Sequence, residues 1–139
     1  MVVALVAFGA IWLFSILNNE EPPPLYPATI DRDCAPWDGA AFTLAIPWNQ
    51  AATLYVSLYQ SPEIAHPVTF SFPDETMKIG SAYLLRPDGS PEQLTGKVFF
   101  ERVHAGNNVE GRFDLISAGG EKFKGTFRAE WGNQVVYCG

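Results

Sequence analysis

Few side chains in this 139-residue sequence are equipped for chemistry: two cysteines, Cys34 and Cys138, and two histidines, His66 and His104. A pair of cysteines can cycle redox, hold a metal or form a structural disulfide, and their spacing decides which. There is no C-x-x-C pair, no C-x-x-C-H haem attachment and no histidine beside either cysteine, so the first two roles lack their motif. One cysteine near the start of a small domain and one near its end predict a disulfide instead, and with it an oxidising, extracytoplasmic compartment. Closing a loop of that length is worth about 4–5 kcal/mol in the chain-entropy model.

The histidines are poorer candidates. His66 precedes Pro67, and His104 stands beside a turn at Ala105–Asn108. Neither has a partner at i+2 or i+4, and a zinc site needs three or four ligands. No nucleophile elbow surrounds any serine, and neither a G-x-G-x-x-G run nor a P-loop is present. The carboxylates cluster at no spacing that would mark an acid–base pair. The expectation is therefore a chain with no catalytic, cofactor-binding or metal-binding residue, and not an enzyme. One local feature is left over. Pro36-Trp37-Asp38 and Pro47-Trp48-Asn49 repeat a Pro-Trp-Asx unit. Trp37, Asp38 and Trp48 could form an interfacial contact or a ligand-stacking shelf; the plainer expectation is that Trp37 covers the disulfide and Trp48 caps the core.

Something must position these residues, and the chain divides into three parts. Residues 2–17 (VVALVAFGAIWLFSIL) carry no charge and one hydroxyl, Ser15. As a helix they span roughly 24 Å, against a hydrocarbon core of roughly 30 Å. No basic residue precedes the run, no A-x-A follows it and no cysteine stands directly after it, which disfavours a cleaved signal or a lipoprotein. Residues 1–19 are read as a single-pass anchor contacting the lipid bilayer through residues 2–17. Gly9 and Ala10, with Trp12 nearby, offer a face where another membrane helix could approach closely. Charges flanking the run say little about orientation, so the cysteines carry the sidedness. Residues 20–33 include Pro22-Pro23-Pro24 and read as a stiff linker.

Residues 34–139 read as an extracytoplasmic β-domain. Ten Phe, five Tyr and four Trp accompany 12 Gly and 11 Pro, the composition of short apolar strands punctuated by turns. Eight strands are expected, near 40–46, 52–60, 67–72, 79–86, 95–103, 109–117, 123–131 and 134–138, the last pair joined by a Gly132-Asn133 hairpin. Gly96, Gly111 and Gly125 open three strands of one pattern. It puts Val98, Phe100, Phe113, Leu115, Phe127, Ala129 and Trp131 on one face and Lys97, Glu101, Arg112, Asp114, Arg128 and Glu130 on the other. The fold class is then all-β: a single antiparallel β-sandwich or a partly closed barrel of about eight strands, preceded by one transmembrane helix.

The net charge is −6, and residues 20–77 carry eight acids against one base. That half repels phosphates, so no nucleic-acid partner is expected. Three functions are compatible with this layout. The first is a non-catalytic accessory subunit whose β-domain contacts other subunits of a larger membrane complex, of the energy-transducing or transport type. The second is a β-barrel enclosing a small apolar ligand, which requires an internal cavity. The third is an envelope hydrolase, which requires a histidine meeting both a carboxylate and a hydroxyl.

Overall fold

A computed structural model describes residues 22–139. The expected anchor, with Gly9, Ala10 and Trp12, lies outside the described residues. Ten strands follow in chain order: β1 (Leu25–Cys34), β2 (Ala40–Asn49), β3 (Ala52–Leu58), β4 (Glu63–Ile64), β5 (Val68–Phe72), β6 (Gly80–Leu85), β7 (Pro91–Phe100), β8 (Val103–His104), β9 (Val109–Ser117) and β10 (Lys122–Trp131).

The sheet runs β5-β7-β6-β3-β2-β1-β10-β9, and β9 pairs back onto β7. Seven strands therefore close a barrel, while β5 adds an eighth along the upper half of β7. A sandwich is not formed. The sheet is also not wholly antiparallel: β1 and β10 run parallel, from Leu25 opposite Thr126 to Ile30 opposite Trp131. Parity requires this. Up and down cannot alternate all the way round a closed ring of seven, so one neighbouring pair must share a direction.

The first strand corrects the expected linker, because residues 25–33 are part of the barrel. Ala28 and Ile30 are buried, and the alternation along β1 is that of a barrel wall. Pro27 is tolerated for a specific reason. Pro24 O accepts a hydrogen bond from Thr126 N, so even-numbered residues point their backbone groups at β10 and Pro27 points the other way. Pairing with β2 begins only at Thr29, which leaves the missing donor of Pro27 on an unpaired edge.

The last expected strand is absent. Residues 132–139 form no ladder, and Gly132-Asn133 makes no hairpin. A further strand needs a free edge beside β10, and both edges are taken, one by β9 and one by β1. The tail instead crosses toward β1. Gly132 N donates to Ile30 O, and the disulfide Cys34–Cys138 fastens the segment 104 residues back in sequence.

Inside, Phe42, Phe100, Phe113, Phe123 and Phe127 are at most 2 % exposed, and they pack edge to face with Phe70, Tyr26 and Trp48. The inward face expected for β7, β9 and β10 is observed: Val98, Phe113, Leu115, Phe127 and Ala129 are buried, with Trp131 packed at the margin. Gly111 is required by this packing, since a Cβ there would stand 2.0 Å from Phe99 O and 2.6 Å from the Phe127 ring. The barrel interior is thus filled by the chain's own side chains.

Candidate functional site

Strand directions give the barrel two ends. The entry of β1 and the turns 49–52, 86–90 and 118–121 lie at one, here the proximal end. The β1–β2 turn, the segments 59–67, 73–79 and 101–108, and the tail lie at the other, the distal end.

The two Pro-Trp-Asx units are placed at opposite ends. The first unit precedes strand β2 and the second forms its last three residues, and ten residues rising ~3.3 Å each carry the chain across the full barrel height. Trp48 is half-buried at the proximal end, stacked on Tyr26 at 4.9 Å and set edge-on to Phe123 at 5.0 Å. Its role is packing. Trp37 stays 54 % exposed at the distal end. Its indole folds back over Gly39, where a Cβ would stand 2.8 Å from Nε1, and meets the Tyr59 ring edge-on at 5.4 Å.

The turn that carries Trp37 is locally determined. Asp38 N donates to Ala35 O and Ala35 N to Gly39 O, with Asp38 at φ 66°, a left-handed conformation that aspartate tolerates better than most residues. Tyr59 continues the outward-facing series Tyr55, Ser57, Tyr59 of β3, and its N–H donates to Ile79 O. Ile79 and Met77 are 43 % and 62 % exposed. The loop bearing them is tied by Asp74: its carboxylate accepts from the Thr76 hydroxyl, and its carbonyl accepts from Met77 N. The Thr76 hydrogen bond holds the Asp74 carboxyl below the ordinary aspartate range. Exposed Trp37 thus meets the half-buried Tyr59, which is tied to exposed Ile79, giving the distal end an aromatic and aliphatic surface with exposed Met77 on the same loop as Ile79.

Beside it, two short strands bring a carboxylate to a histidine. β4 pairs with β8, setting Glu63 opposite His104. His104 donates from Nδ1 to Glu63 Oε2 at 2.6 Å, and Ala105 N donates to Glu63 Oε1 at 3.4 Å. The bond from His104 is the main reason the Glu63 carboxyl titrates below its ordinary value. Trp131 Nε1 anchors β8 by donating to His104 O at 3.1 Å. A hydrolase needs a hydroxyl on the other ring nitrogen, and none among the described residues hydrogen-bonds to His104. His66 is exposed and takes no part. Among the described residues no three His, Cys, Asp or Glu side chains converge as a metal site.

Sequence reading singled out Trp37 and Asp38 but missed Tyr59, Met77, Ile79 and the Glu63–His104 pair. The alternation of β3 carried a signal for Tyr59. The others come together only through contacts between segments distant in sequence. Compared with protein-family models, with curated proteins and with solved structures, the chain finds no match in any of the three.

Proposed function

We propose that this protein is a non-catalytic accessory subunit, anchored in a membrane by residues 2–17, whose extracytoplasmic barrel contacts another subunit of a larger membrane complex through its distal end. The observation that carries this reading is the grouping of exposed Trp37 and Ile79 around Tyr59 at the distal end; Leu25 and Ile116, also exposed, lie toward the other end. Trp37, Met77 and Ile79 stand at the end opposite the one where the chain enters from residues 22–24. Exposed aromatic and Met side chains are enriched where proteins meet, and clusters of them mark interaction sites on otherwise polar surfaces. The disulfide supports an extracytoplasmic setting. The second candidate, an apolar ligand inside the barrel, has little room, because phenylalanine rings occupy that space.

The test is solubilisation of the full chain in mild detergent, followed by identification of the copurifying subunits. A double variant, Trp37→Ala with Ile79→Ser, is expected to weaken retention of the partner roughly 10-fold or more, the range of an interface hot spot, while melting close to the wild-type temperature. Recovery of the wild-type protein as a lone monomer would overturn the reading.

A further inference from the structure

The outer face of β7, β9 and β10 near the proximal end has a charge opposite to that of the whole chain. Two adjoining grooves lie there. One, of ≈ 550 Å³, is lined by Lys97, Lys122 and Lys124 with Asp114 and Ile116. The other brings Pro23 beside Lys97, Lys124, Arg112 and Asp114. Among the described residues that line these two grooves, four bases thus stand against one acid, in a chain of net charge −6 whose Glu20 and Glu21 precede Pro23 in sequence. Strand register builds the row: Asp114 sits opposite Lys97 on one side and opposite Lys124 on the other. Arg112 is held over the Phe99 ring at 4.6 Å. Glu110, on the same strand, is engaged further toward the distal end by Arg128 at 3.8 Å. Ile116, 38 % exposed, adds an apolar side chain to the groove.

Pro23 is where the chain leaves this face toward residues 2–17. Five residues, 18–22, separate Leu17 from Pro23, a reach of about 20 Å even when fully extended. The path is also fixed at the barrel: Pro24 O accepts from both Thr126 N and Thr126 Oγ1. A side chain added at Gly125 would strike Tyr26 at 2.5 Å and Pro24 O at 3.0 Å, so the chain is pressed onto β10 beside Lys124. Short reach, fixed exit and local positive charge coincide on one side of the barrel.

We infer that the Lys97–Lys122–Lys124 groove is a bilayer-facing surface that binds anionic phospholipid headgroups and sets the tilt of the barrel on the membrane. This rests on the anchor reading above. Lysines held near an anionic leaflet each gain roughly a fivefold preference for it, and added salt screens the attraction.

The experiment reconstitutes the full chain into nanodiscs of phosphatidylcholine alone and of phosphatidylcholine with phosphatidylglycerol, then acetylates exposed amines and reads each lysine by mass spectrometry. Lys78, in the distal loop 73–79, serves as the internal reference. The expected result is several-fold weaker labelling of Lys97, Lys122 and Lys124 in the anionic discs only, relieved by high salt, with Lys78 unchanged. Equal labelling in both discs, with the protein retained, overturns the headgroup surface and leaves the anchor standing. Release of the protein from both discs by alkaline carbonate removes the anchor, and this inference with it.

Discussion

Tyr26 stacks on Trp48 with ring centroids 4.9 Å apart, joining the second residue of the first strand to the end of the second. Both rings also meet Phe113 edge-on, at 5.6 and 6.0 Å. This cluster packs at the proximal end of the barrel and makes Tyr26, two residues after Pro24, part of a core shared by β1, β2 and β9.

Trp48→Ala removes the centre of that cluster. Truncating a buried aromatic costs about 3–5 kcal/mol, and Trp48 is only half-buried, so the expected loss is about 2–4 kcal/mol. Urea denaturation followed by circular dichroism measures it. Trp37→Ala, at the exposed end, is expected to cost under about 1 kcal/mol in the same assay. Equal losses for the two variants would contradict the division between a packing tryptophan and a surface one.

The Cys34–Cys138 disulfide restrains a segment that otherwise has little holding it. Residues 132–139 lie in no ladder, and Val135 and Tyr137 are 72 % and 92 % exposed. Replacing both cysteines with serine is expected to lower stability by about 4–5 kcal/mol in the chain-entropy model, because the unfolded chain loses its cross-link. The barrel closes without the tail, so the variant should retain the wild-type far-ultraviolet spectrum. Two alkylatable thiols in the untreated wild-type protein would remove the premise.

Glu63 gives the fold a testable acid dependence. Its carboxyl titrates below the ordinary value because His104 donates to it. A group whose pKa is depressed by folding contributes stability that is fully present above its unfolded value, about 4.3, and is lost as pH falls through the lower folded value. The wild-type protein should therefore exceed Glu63→Gln in urea midpoint at pH 6, with the gap closing below about pH 4. The other depressed carboxyls, Asp74 and Asp88, are common to both proteins and cancel in the comparison. A gap that is constant from pH 6 to pH 3 would show that Glu63 acts by packing alone.

What the sequence determined by itself is what depends on neighbours along the chain. Period-two alternation fixed the inward and outward faces of β7, β9 and β10, while the register that sets Lys97 and Lys124 opposite Asp114 came only with the closed sheet. Cysteine position was enough to pair Cys34 with Cys138, since two cysteines in one oxidised domain have a single partner each. Only the tertiary structure decided the rest. Pro27 disguised β1 as a linker, because whether a proline fits a strand depends on which edge is unpaired. Residues 134–138 have the apolar, β-branched composition of a strand and form none, because ring closure leaves β10 without a free edge. Trp37 and Trp48 sit in near-identical local sequence yet diverge, one exposed and one packed, because β2 carries them to opposite ends. Glu63 and His104, 41 residues apart, meet only after the barrel has brought β4 to β8.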